Sequence, residues 1–203
     1  MCAVNLLNSF MIISHKHKFI FVKTRKTAGS SIEKYLYNYL GPDDICTGSE
    51  ADNTPRLNTA ETNGHRSHEW ISNNYLEEWK HYFKFAVDRN PWDKLVSAYY
   101  FYKQRKPKKV KAGFSAFVRD GTDLNDWDMY ATDVIKVDCL INYDTLHNSF
   151  LDLPIPYNNE LLKTFVKADT GRETNYTKMY TEETIQIVSN RYDNVIKHFG
   201  YTF

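Results

Sequence analysis

Cysteine is scarce in this sequence: three residues, Cys2, Cys46 and Cys139, in a chain of 203. Few, odd in number and widely spaced, they fit neither a disulfide framework nor a zinc site, and reduced thiols in a cytoplasmic setting are the expectation. Six prolines and eight glycines build no repeat and no low-complexity linker. Long apolar runs are missing too. Residues 1–13 are mildly apolar, but Asn5, Asn8 and Ser9 interrupt them and they lack a basic n-region, so the expectation is a stretch too short to span a bilayer and a poor signal peptide. Charge of one sign is absent as well: 26 basic against 25 acidic residues leave +1, whereas a general nucleic-acid binder is distinctly basic. His65 and His68 stand three apart, yet no third ligand and no H-E-x-x-H pattern accompanies them, so the sequence indicates no metal.

What is present is globular. A hydrophobic share of 42% and a charged share of 25% can build a real core, and the length suits one domain, with residues 1–17 as an N-terminal extension. The chain is organised around residues 18–40, KFIFVKTRKTAGSSIEKYLYNYL. Phe19, Ile20, Phe21 and Val22 form the short apolar run of a buried parallel strand. Ile32, Tyr35, Leu36, Tyr39 and Leu40 recur at helical spacing, and Gly41-Pro42 is expected to stop that helix. Ser30 and Glu33 have capping-box spacing, which predicts a helix start at Ser30. The turn between strand and helix, residues 24–29, aims backbone N–H groups, two hydroxyls and Lys26 at one point, and that makes an anion site. It is not a Walker A loop: Lys26 precedes Gly29, and no upstream glycine has the required spacing.

A second informative stretch covers residues 82–100. Residues 83–87 predict another buried strand, Pro91 suits the first turn of a helix, and Trp92, Leu95, Val96 and Tyr99 mark its buried face. Arg89 therefore leaves the carboxyl end of a strand, the place where α/β sheets bind ligands. Ser97 lies about two turns into that helix.

Taken together, Lys26-Thr27-Ala28-Gly29-Ser30-Ser31 resembles the 5′-phosphosulfate loop of the sulfotransferases. Arg89-Asn90-Pro91-Trp92-Asp93-Lys94-Leu95-Val96-Ser97 resembles their 3′-phosphate motif. The resemblance spans residues 18–203 and includes an ending similar to bacterial and phage-type members. It implies a three-layer α/β domain with a mostly parallel central sheet, of the P-loop-like sulfotransferase type. It also implies 3′-phosphoadenosine 5′-phosphosulfate (PAPS) as donor, 3′-phosphoadenosine 5′-phosphate as product, and an acceptor hydroxyl or amine on a glycan or small molecule. Lys26 would bind the bridging or leaving oxygen, with Thr27, Ala28 and the amides of Gly29, Ser30 and Ser31 around the 5′ end, and Arg89 and Ser97 at the 3′ end. Arg25 stands where the family has proline, and is expected either to add charge at the 5′ end or to point to solvent. Thr170-Gly171-Arg172 is similar to the Lys-Gly-Arg loop over the cofactor, and only Gly171 and Arg172 carry over. Relatives often carry His-x-Ser at the distance of His65 before the arginine motif, which makes His65 the candidate base. His68 is the second candidate, closer to the following helix and open to a capping role.

Elsewhere, residues 43–64 read as a long polar loop, and a helix is expected through Leu76 and Trp79. Residues 134–143 predict a strand, with Leu146, Phe150 and Leu151 at helical spacing beyond it, and Thr181 opens a last helix that Gly200 ends. Residues 103–111 hold six cations, either a solvated loop or a landing strip for an acidic acceptor. A nucleotide kinase or NTPase is the rival enzyme reading, disfavoured by the position of Lys26. A non-catalytic nucleotide-binding module would keep both loops and lack a base.

Overall fold

The computed structural model describes residues 11–48, 54–59, 66–121, 123–156, 158 and 171–203. Five strands form one sheet in the order β3-β1-β2-β4-β5: β1 (Met11–Ser14), β2 (Phe19–Val22), β3 (Ile45–Cys46), β4 (Phe83–Asp88) and β5 (Cys139–Asn142). β2, β4 and β5 run parallel, while β1 pairs antiparallel with both β2 and β3. The sheet is therefore mixed, not mostly parallel. Its antiparallel half starts in the segment expected to be an N-terminal extension. Four residues join β1 to β2, and so short a connection can only fold back as a hairpin.

The apolar runs predict β2 and β4 because both strands are buried on two faces. Ile12, Phe19, Phe21, Phe85, Val87 and Ile141 face one layer, against Ile32 and Leu36 of α1 (Gly29–Tyr37) and Phe150 of α7 (Leu146–Leu151). Met11, Ile13, Ile20, Val22 and Ala86 face the other, against Ile71 of α2 (His68–Asn74) and Tyr130 of α6 (Trp127–Tyr130). Three layers result. A satellite core joins α4 (Pro91–Arg105) to α5 (Phe114–Arg119) and α8 (Glu182–Arg191) through Trp92, Val96, Phe117 and Val188.

Several boundaries differ from the sequence expectation. α1 starts one residue earlier, at Gly29, without a side-chain cap, because Glu33 is buried on Lys23 (2.8 Å) and does not reach back to the helix start. It ends at Tyr37, leaving Tyr39 and Leu40 outside. The expected loop after it contains β3, whose Cys46 bridges to Leu57. The helix through Leu76 is two helices, α2 and α3 (Leu76–His81), and the last helix likewise divides at Tyr192 into α8 and α9 (Asp193–Phe199). The strand within 134–143 is confined to β5, and Leu151 lies exposed on α7. No helix among the described residues is long and apolar enough to cross a membrane.

Candidate active site

Parallel neighbours β2 and β4 end side by side, with Val22 paired to Ala86, so the two turns that follow them are adjacent. The turn after β2 is tightly wound: Lys26 (φ 62°) and Ala28 (φ 60°) both adopt the left-handed conformation. For residues with a Cβ this costs on the order of 1 kcal/mol or more each, and it persists only where surrounding contacts fix it. Here they do. The Thr24 hydroxyl donates to the carbonyl of Val87, and the Thr27 hydroxyl reaches Thr24 Oγ1 (2.9 Å) and the Thr24 carbonyl (3.2 Å). Thr27, fully buried, thus uses its side chain to close the turn. The Ser31 amide donates to the Ala28 carbonyl (2.8 Å), and Gly29 and Ser30 form the first turn of α1.

Gly29 has a steric reason. A Cβ there would stand 2.6 Å from Cγ and 2.8 Å from Cε of Lys23, whose ammonium is held on buried Glu33. Gly29→Ala is expected to destabilise the fold by about 1–3 kcal/mol, as overpacking does, because the Lys23 stem is buried and its ammonium is tied to Glu33. A denaturant midpoint unchanged from wild type would show that the stem yields.

Lys26 itself is half-buried. Its ammonium lies 4.2 Å from the ring centroid of Phe101 on α4, and Arg105, one turn on, stacks against the same ring at 5.9 Å. Phe101 had no part in the sequence-based site. Its spacing four residues after Ser97 and eight after Asp93 puts all three along one side of α4.

Arg89 is buried at the end of β4. Its Nε donates to Asp93 Oδ2 (2.6 Å), with Nη2 on the same oxygen, and Nη1 donates to the Lys26 carbonyl (3.2 Å). Its guanidinium also lies over the Tyr143 ring at 4.1 Å. Arg172 comes to the other oxygen, with Nη1 2.9 Å from Asp93 Oδ1. Gly171 before it takes the left-handed conformation (φ 57°), and Thr170 lies outside the described residues. Two arginines 83 positions apart thus converge on one carboxylate. Among the described residues, neither Asp93 Oδ1 nor Arg172 Nη1 forms a well-aligned hydrogen bond although both atoms are buried, so this ion pair is their one contact of note there. Asp144 stands nearby: burial raises its carboxyl above the usual range, Asp93 adds to this, and Arg89 opposes both. Ser97, half-buried, follows Asp93 by one turn.

Arg25 takes neither of its two expected roles. Its backbone N–H and Nε go to Asp126 (2.8 and 2.6 Å), Nη1 to the Asp123 carbonyl (2.6 Å) and Nη2 to the Asn125 carbonyl (3.0 Å). Burial alone would lower the pKa of this guanidinium, but Asp126 outweighs it and holds the group firmly charged.

The two histidines part company. His65 lies outside the described residues. His68 opens α2 behind the N-cap Ser67, is 8% exposed, and packs near Trp79 with ring centroids 6.2 Å apart. Burial holds its pKa below the ordinary imidazole value. The cations of residues 103–111 are all exposed, and Lys103, Arg105 and Lys109 each lie over an aromatic ring of α4.

A family model described as "Sulfotransferase family" matches residues 9–202, nearly the whole chain. No curated protein and no solved structure matches it.

Proposed function

The chain belongs to the sulfotransferase family, and from that premise we propose that it moves a sulfuryl group from PAPS to a hydroxyl or amine of a glycan or small molecule. One observation carries the donor assignment: Arg89 and Arg172 converge on a single carboxylate beside the Lys26 turn. That pair fits a 3′-phosphate, which would replace Asp93 as their shared anion and bring the oxygens to align both forks. Ser97 would fill one further lone pair. Lys26 and the amides of Gly29 and Ser30 would hold the 5′ end.

When bound, PAPS would supply the sulfuryl group: a bond from the acceptor oxygen or nitrogen to sulfur would form as the sulfur–oxygen bond to the 5′-phosphate breaks, with 3′-phosphoadenosine 5′-phosphate as leaving group. The chain contributes position and charge. Lys26 would leave the Phe101 ring to meet the negative charge that gathers on the leaving oxygen, and that charge contact would be its electrostatic contribution. His65 takes the acceptor proton. The six exposed cations of residues 103–111, adjoining Lys26 through Arg105 and the Phe101 ring, favour an acceptor that is itself acidic.

Calorimetry tests the donor assignment. Adenosine 3′,5′-bisphosphate is expected to bind at least about tenfold more tightly than AMP or ATP, since each charge-assisted bond to the 3′-phosphate contributes roughly 1.5–3 kcal/mol. Equal affinity for AMP would remove the assignment. Transfer of label from 35S-PAPS to a panel of acidic glycans, neutral sugars, phenols and amines then identifies the acceptor.

A further inference from the structure

We propose that Asp126 is a positioning residue that sets the span between the two phosphate-holding turns, and so makes the site selective for a ligand with phosphates at both ends. The inference rests on the sulfotransferase reading of those turns.

Asp126 is fully buried and comes from a polar segment a hundred residues beyond the first turn. Its Oδ2 accepts the Arg25 N–H (2.8 Å) and the Lys94 ammonium (2.8 Å), and its Oδ1 accepts Arg25 Nε (2.6 Å). Lys94, on α4, donates also to Asp88 Oδ1 (2.9 Å) at the end of β4. Asp88 in turn accepts the Arg89 N–H (2.7 Å) and the Tyr130 hydroxyl (2.5 Å). A continuous chain of bonds therefore runs Arg25, Asp126, Lys94, Asp88, Arg89. One end abuts Lys26 in sequence, and the other is Arg89 itself.

Stability does not account for such a chain. Two carboxylates and two cations balance in charge, but their desolvation offsets most of the gain, and apolar residues of similar volume often serve a fold as well or better. What the chain supplies is fixed geometry: charge-assisted bonds hold the Arg25 amide, one residue before the left-handed Lys26, at a set distance from Arg89. A bisphosphate must meet both turns at once. Its second phosphate binds as an intramolecular event, and the advantage vanishes when the spacing drifts. A monophosphate meets one turn and is indifferent to the span.

The test uses Asp126→Asn in the full chain, with adenosine 3′,5′-bisphosphate, adenosine 3′-monophosphate and adenosine 5′-monophosphate measured by calorimetry. The bisphosphate is expected to lose at least about tenfold in affinity while each monophosphate stays within about threefold. A uniform loss across all three ligands, or none, overturns the proposal, since a merely structural role weakens every ligand alike. If Asp126→Asn melts too low to titrate, the charge-balanced pair Asp126→Asn with Lys94→Met is measured in its place, with the same selective loss expected.

Amide hydrogen exchange gives a second reading that needs no nucleotide. In Asp126→Asn the amides of residues 25–28 are expected to exchange at least about tenfold faster while those of β4 keep their protection. Unchanged exchange at residues 25–28 overturns the brace whatever the nucleotides do. A wild-type protein that fails to prefer the bisphosphate removes the PAPS reading instead, and the exchange result then decides the brace alone.

Discussion

Lys26→Ala is expected to lower turnover by at least about 10²-fold with little change in bisphosphate affinity, because a cation on the leaving oxygen counts most as charge develops there. The fold should tolerate the change. Lys26 is half-buried, its ammonium rests on the Phe101 ring, and alanine meets the same left-handed backbone demand as lysine. Arg89→Ala is expected to show the opposite division. It removes one fork of the 3′-phosphate clamp and leaves Arg172 on Asp93, so the donor KM rises more than turnover falls. Some turnover should still be lost, since Arg89 Nη1 also anchors the Lys26 carbonyl (3.2 Å). Steady-state kinetics on both variants, with labelled donor, settles the matter. A Lys26→Ala enzyme impaired only in KM, beside an Arg89→Ala enzyme impaired only in turnover, would mean that the two roles are exchanged.

The parts of the site that sequence conveys are those written locally. β2 and β4 are apolar on both faces, each is followed directly by its turn, and α4 carries Pro91 at its first position, with the Asn90 side chain capping Trp92 and Asp93. Such signals lie within a few residues of what they determine. What stayed hidden depends on distant partners. Arg25 reads as a charge in search of a phosphate until Asp126, 101 positions on, is seen to take it. Asp93 reads as an ordinary first-turn acid until Arg172 arrives from beyond a segment that sequence left open. The capping box at Ser30 had the right spacing and the wrong outcome, because Glu33 is claimed by Lys23 beneath the helix. β1 was missed for a related reason. Three apolar residues and a serine look like a frayed start until the hairpin places them, fully buried, between β2 and β3.

The same distinction between local and distant signals bears on the base. The polar segment at residues 120–128 could have held an alternative to the histidines, but Asp126 has both oxygens committed to Arg25 and Lys94, so it is no proton acceptor. His68 is placed as a core residue at the mouth of α2, near Trp79 and beside the backbone of Ala131. Its folded pKa is depressed by burial, so the native state takes up its proton less readily than the unfolded chain. Stability is therefore full above the ordinary imidazole pKa of about 6.5 and declines as pH falls from there through the lower folded value. His68→Gln is expected to flatten that acid-side decline in melting temperature between about pH 7.5 and 5.5 while leaving turnover near wild type. His65→Ala should do the reverse: about 10²–10⁴-fold of turnover lost, the usual share of a general base, with bisphosphate affinity intact. Turnover lost only in His68→Gln, at a pH where that variant is fully folded, would move the base to His68. Turnover retained in both variants, with an acceptor verified on the wild type, would remove histidine from the mechanism.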